Sequence, residues 1–171
     1  MPCYSDDSMS RLDHVLFPGS FDPLTSGHVD LVRRALTFCD TVTLGVLDNV
    51  AKKPLFSAAE RVAIIKEVFA EMGDRVRAEA FHGLLVDFAR RIHVAVIIRG
   101  LRATSDYDYE AQMALMNRSL GGNIETLFMS TREQFSYVSS SVVKQVASLG
   151  GDVSHLVPPA VSRALQRKQQ P

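Results

Sequence analysis

The stretch FPGSFDPLTSGH, residues 17–28, concentrates groups that handle anions. Pro23 disfavours a helical Asp22, so any helix that follows starts beyond it. Gly19 and Gly27 let backbone approach a ligand with no Cβ between them. His28 then falls in a first helical turn, where N–H groups lack intrahelical partners. An imidazole beside free amides suits a phosphoryl oxygen. The same Gly, Pro and Asp cluster would also serve a plain turn, with His28 an incidental helix-start residue. Three further segments carry groups of matching chemistry. Lys52 and Lys53 precede Pro54, although paired lysines are common on loops. Arg99 follows the apolar run Val94–Ile98 and precedes Gly100, Leu101 and Arg102. An arginine at that point leaves the core at a strand end, either to snorkel or to act as a bidentate phosphate clamp. Ser139, Ser140 and Ser141 open an apolar-periodic stretch, and one of them reads as an N-cap.

Other polar residues carry less. By residue type alone, Glu110 is a solvated helix charge, and Met113 and Met116 are core or interface packing. His14, His82, His93 and His155 show no partner pattern. The histidines and acids have no ligand spacing, so no protein-bound metal is expected.

The elements between these segments must bring them together. Residues 14–17 read as a short buried strand. Val29, Val32, Ala35, Leu36 and Cys39 recur at helical period over 28–39, with Asp30, Arg33 and Arg34 opposite. Residues 41–47 are β-branched and strand-like. Ser57 and Glu60 form a capping box before a helix over 61–72, with Gly73 in the C′ place. A third strand is expected at 75–81. Leu84, Leu85, Phe88 and Ile92 mark the next helix. Val94–Ile98 reads as a central strand buried on both faces. A helix over 107–120 ends at Gly121 and Gly122, and 125–129 is a fifth strand. A short helix over 139–151 follows, and Pro158-Pro159 opens a last, basic one.

Strand and helix alternate throughout. The expected class is α/β: one Rossmann-like domain over 14–168, an open parallel five-stranded sheet with helices on both faces, after a loose polar tail over 1–13. Ligands bind such sheets outside the carboxyl ends of the strands, where all four polar segments would meet. Lys+Arg and Asp+Glu number 19 each, which argues against a protein that coats nucleic acid or an anionic membrane. Cys3 and Cys39, the latter on a buried helix face, make no disulfide framework. No apolar run reaches membrane-spanning length, and a cytoplasmic protein is expected.

Together FPGSFDPLTSGH, KKP, IIRGLRATSDYDYE and SYVSSSVVK resemble, in order and spacing, the bacterial phosphopantetheine adenylyltransferases of the nucleotidyltransferase superfamily. The resemblance spans residues 14–168. It implies transfer of AMP from ATP to 4′-phosphopantetheine, giving dephospho-coenzyme A and pyrophosphate in coenzyme A synthesis. It further implies Mg²⁺ arriving with ATP, a homohexamer, and coenzyme A as a candidate feedback ligand. By matching positions, His28 is the catalytic histidine. Ser20 and Phe21 touch ATP, Ser20 also near the acceptor phosphate. Lys52, Leu85 and Arg99 hold phosphopantetheine. Gly100, Leu101, Arg102 and Glu110 line the ATP pocket with Phe135, Ser136, Tyr137, Val138, Ser139, Ser140 and Ser141. This chain has Ser20 where the family often has threonine, and Phe135 where tryptophan is frequent. No side chain offers a covalent nucleophile, so direct in-line attack by the acceptor phosphate is expected. The T-x-G-H piece alone also fits an adenylyl- or cytidylyltransferase for another small phosphate ester, or a non-catalytic nucleotide-binding sensor.

Overall fold

A computed structural model describes residues 11–48 and 53–169. Five strands form one parallel sheet: β1 (Leu12–Gly19), β2 (Cys39–Leu47), β3 (Val76–Phe81), β4 (Val96–Leu101) and β5 (Glu125–Ser130), in the spatial order β3-β2-β1-β4-β5. The helices are α1 (Ser26–Ala35), α2 (Ala58–Val68), α3 (Leu85–Arg91), α4 (Thr104–Gly121), α5 (Ser140–Ser148) and α6 (Pro159–Gln169). The expected α/β class and strand count hold.

Side chains alternate across a strand, and here both sides are buried. Val15 and Phe17 of β1 enter the larger core with Val32 of α1, Ile65 of α2, Val143 of α5 and Leu165 of α6. Leu16, between them, enters a smaller core on the opposite face with Val86 and Phe88 of α3. There Phe81 and Phe88 stack with centroids 4.4 Å apart. Gly45 on β2 allows this packing, because a Cβ there would stand 2.9 Å from Phe88.

Several boundaries differ from expectation. β1 begins at Leu12, so residues 11–13, assigned by sequence to a loose tail, sit on the fold; Arg11 donates to Leu36 O and Cys39 O. The remainder of that tail lies outside the described residues. Cys39 is buried as expected but opens β2 instead of closing α1. α2 stops at Val68, and Gly73, at φ +52°, falls within a 3₁₀ turn over Ala70–Arg75. The central strand starts at Val96, not Val94, and extends through Leu101, so Arg99 and Gly100 belong to β4 itself.

The sheet is not evenly knitted. β1 keeps register with β2 from Leu12↔Cys39 to Gly19↔Val46, whereas β1 and β4 pair at Leu16↔Ile97 alone. No backbone pairing joins their carboxyl ends, where Pro18, Gly19, Arg99 and Gly100 line a crevice.

Candidate active site

The crevice begins with the turn from β1 to α1. Thr25 is the N-cap of α1: its Oγ1 accepts the His28 amide at 3.4 Å, and its own amide donates to His28 Nδ1 at 3.0 Å. Histidine thus takes the place that glutamate has in an ordinary capping box. Nδ1 is an acceptor in this arrangement, so the neutral ring carries its proton on Nε2. Nε2 has no partner among the described residues. Burial, then the charges of Arg102 and Arg99, pulls the His28 pKa down to about 4. The ring is therefore neutral at physiological pH.

Phe21 walls in this imidazole, edge-on at 5.2 Å and 2 % exposed, with a left-handed backbone of φ +46°. Its ring lies over Gly19, where a Cβ would come 2.9 Å from Phe21 Cζ. Asp22, also buried, accepts the Leu55 and Phe56 amides at 3.0 and 2.9 Å and the Lys144 ammonium at 2.7 Å. Burial pushes the Asp22 carboxyl up, but Lys144 and the two amides outweigh it and hold the pKa below the ordinary value.

From β4, Arg99 reaches across the gap and donates to Pro18 O at 2.7 Å. Its Nε and Nη2 bond both Glu110 oxygens, at 2.7 and 2.6 Å. This corrects one expectation: Glu110 is no solvated charge but the partner of the Arg99 fork. Arg102 is likewise paired, to Asp106 at 3.2 Å. At the start of α5, Ser139 is the N-cap and accepts Val142 N at 3.1 Å, while Ser140 donates to Pro23 O at 2.8 Å.

Two adjoining cavities result. A polar cleft of 290 Å³ brings together Ser20, Phe21, His28, Gly100, Arg102 and Glu110 with Phe135 and Val138 through Ser141. Thr131 also lines it, with a buried hydroxyl that has no partner. A more apolar cavity of 380 Å³ is lined by Leu47, Leu84, Leu85, Met113 and Met116 among others. Pro18, Gly19, Ser20, Arg99 and Glu110 line both and mark the junction. Leu101, Ser136 and Tyr137 are not among the lining residues, and Tyr137 is 65 % exposed. Lys52 lies outside the described residues.

Three structural residues escaped the sequence. Asp22 and Lys144 sat inside the quoted motifs without an assigned role. Arg61, 2 % exposed, donates to Ser20 O, Leu47 O and Phe56 O. Its signal was a cation three and four residues before Ile64 and Ile65, hence on the apolar face of α2.

Comparisons with known proteins agree with this architecture. Residues 16–146 match the family model described as cytidylyltransferase-like. A phosphopantetheine adenylyltransferase from Streptomyces coelicolor is 54% identical over 151 residues, which is 88% of this chain and 94% of that protein. Among solved structures, a nicotinate-nucleotide adenylyltransferase from Vibrio parahaemolyticus superposes with TM-score 0.67 at 16% identity, over 91% of this chain and 99% of the other. Nicotinic acid mononucleotide adenylyltransferase from Plasmodium falciparum, complexed with NaAD, gives 0.66 at 12% identity, over 92% and 96%. These two likenesses concern the fold. The extent and identity of the sequence match decide the family, and the chain belongs to the phosphopantetheine adenylyltransferases within the cytidylyltransferase-like group.

Proposed function

We propose that the protein transfers the adenylyl group of ATP to 4′-phosphopantetheine, releasing pyrophosphate and dephospho-coenzyme A, in the cytoplasm as a step of coenzyme A synthesis. The observation that carries this is the pair of adjoining cavities. A polar cleft beside a helix start suits a nucleotide triphosphate, and an apolar cavity suits the long pantetheine arm. Their shared wall at Ser20 and Arg99 is where an acceptor phosphate would meet the α-phosphorus.

The chemistry needs no protein nucleophile. An acceptor phosphate oxygen attacks the α-phosphorus in line, a P–O bond forms, and the bond to the bridging oxygen breaks as pyrophosphate leaves. The acceptor oxygen is already anionic, so no proton must be removed. Catalysis then rests on positioning and on charge stabilisation. His28 donates Nε2–H to a non-bridging α-phosphate oxygen as charge builds there. Ser20 and Phe21 contact ATP from the opening loop. Gly100, Leu101, Arg102, Glu110 and residues 135–141 enclose the nucleotide, while Lys52, Leu85 and Arg99 hold the acceptor. Arg99 has five N–H groups and spends three on Glu110 and Pro18, which leaves two for a phosphate. Among the described residues no group of three or more His, Cys, Asp or Glu could hold a metal ion. Mg²⁺ accompanies the triphosphate as part of the substrate.

Coenzyme A carries the same arm and competes for the apolar cavity. Self-association is supported by large apolar side chains left exposed on α4 and β5 outside both cavities: Leu115 at 69 %, Tyr107 and Leu127. Buried against copies of the chain, this face serves a homohexamer. No helix of the structure is long and apolar enough to cross a membrane.

Incubation with ATP, Mg²⁺ and 4′-phosphopantetheine is expected to yield dephospho-coenzyme A, detected by mass. Pyrophosphate release only with another phosphate ester, only with CTP, or with no acceptor at all would overturn the assignment.

A further inference from the structure

Arg61 stands outside both cavities, yet its bonds reach their walls. Nη1 donates to Ser20 O at 2.7 Å and to Leu47 O at 3.0 Å, and Nε donates to Phe56 O at 3.0 Å. Asp48, its carboxylate partner among the described residues, is 3.6 Å from Nη2. Burying a guanidinium is costly unless its donors are used, and an apolar residue beside Ile64 and Ile65 would fill the same space at no such cost. What an apolar residue could not do is tie the carbonyls of Ser20 and Leu47 to the turn that opens its own helix at Phe56.

Two of these carbonyls matter for the site. Ser20 and Leu47 both line the apolar cavity, from β1's exit loop and from the end of β2. The Ser20 carbonyl also belongs to the peptide that precedes Phe21, whose φ of +46° persists only if its surroundings enforce it. In a planar trans peptide, a pinned C=O fixes the opposing N–H as well. Arg61 thereby sets the plane of the Ser20–Phe21 peptide and the spacing of two cavity walls.

We infer that Arg61 is a positioning residue for the acceptor, fixing Ser20 and the end of β2 so that the acceptor phosphate lines up with the α-phosphorus. This rests on assigning the apolar cavity to 4′-phosphopantetheine. Leu47 lines the apolar cavity alone, whereas Ser20 lines both, so the acceptor side is expected to lose more than the nucleotide side, which Arg61 reaches only through the Ser20–Phe21 peptide.

The test uses the whole chain, with kcat and both KM values measured for wild type, Arg61→Lys and Arg61→Ala. Lysine keeps the charge but cannot span three carbonyls. In Arg61→Lys the acceptor KM rises about tenfold, the ATP KM changes less than about threefold, and the protein stays folded at assay temperature. In Arg61→Ala kcat falls by about a hundredfold, and millimolar methylguanidinium recovers about tenfold of it without affecting His28→Ala. Kinetics within about threefold of wild type in either folded variant overturn the inference. So does a loss that moves both KM values equally and does not respond to methylguanidinium. Should Arg61→Ala not fold, Arg61→Lys decides; should neither fold, Arg61 serves the fold at large and the positioning role is lost. Wild type that makes no dephospho-coenzyme A instead tells against the acceptor assignment, independently of any variant.

Discussion

His28 is a neutral donor held by its own helix cap. Thr25 fixes the tautomer through Nδ1, and Phe21 excludes water from one edge. A donor that acts without giving up its proton contributes where charge develops, not in the ground state. His28→Ala is therefore expected to lower kcat by on the order of 10²–10³ with little change in KM, measured by steady-state pyrophosphate release. The same ring leaves a mark on stability. Its folded pKa of about 4 lies below the ordinary 6.5, so the unfolded chain takes up the proton first as pH falls. Stability is complete above pH 6.5 and declines between there and pH 4, by roughly 3 kcal/mol. Urea titrations across that window should show a shallower decline for His28→Asn than for wild type. Histidine 28 was legible because Pro23, Gly27 and a helical period fix where a helix starts. The partner of Arg99 was not, since nothing in residue type distinguishes a carboxylate facing a strand from one facing water. Arg61 was hidden likewise: a lone arginine on a helix is ordinary until its carbonyl partners are in view.

The elements followed periodicity closely, and their errors are local. Strands were read short at β1 and shifted at β4, because polar Asp13 and Arg99 looked like exits from the core. In the fold, Leu12 and His14 on either side of Asp13 pair with Cys39 and Thr41 of β2, and Arg99 stays in its strand with Glu110 as its counter-charge. The capping box of α2 was legible, since Ser57 and Glu60 carry its chemistry three residues apart; that of α1 was not, because histidine stands in glutamate's place. That of α2 is complete: Ser57 Oγ accepts Glu60 N at 3.2 Å, and the Glu60 carboxylate accepts Ser57 N at 2.7 Å. Ser57→Ala should cost about 1 kcal/mol in urea unfolding. Ser57→Gly, which also lacks the hydroxyl but tolerates the cap backbone, is expected to cost less; equal losses would mean that the cap backbone contributes nothing and the hydroxyl bond the whole effect.

At the scale of the molecule, topology was legible because alternating strands and helices admit few arrangements, and the site followed from it as the place where parallel strands end. The exposed face of α4 was not, because nothing in residue type shows that Leu115 is left outside the core. Leu115→Glu puts a charge on that face without touching either cavity, and sedimentation or light scattering should show a smaller particle; an unchanged mass would free α4 from any interface. The lack of backbone pairing between β1 and β4 beyond Leu16↔Ile97 has a consequence of its own. Backbone rungs fasten the rest of the sheet, but across this rift the Pro18 carbonyl is met by the Arg99 side chain. A side chain can turn to an arriving anion and back again, whereas a rung would have to be torn. The two halves of the molecule are buttoned there rather than sewn, so the fold can admit two repelling substrates at its middle while every rung of the sheet stays in place.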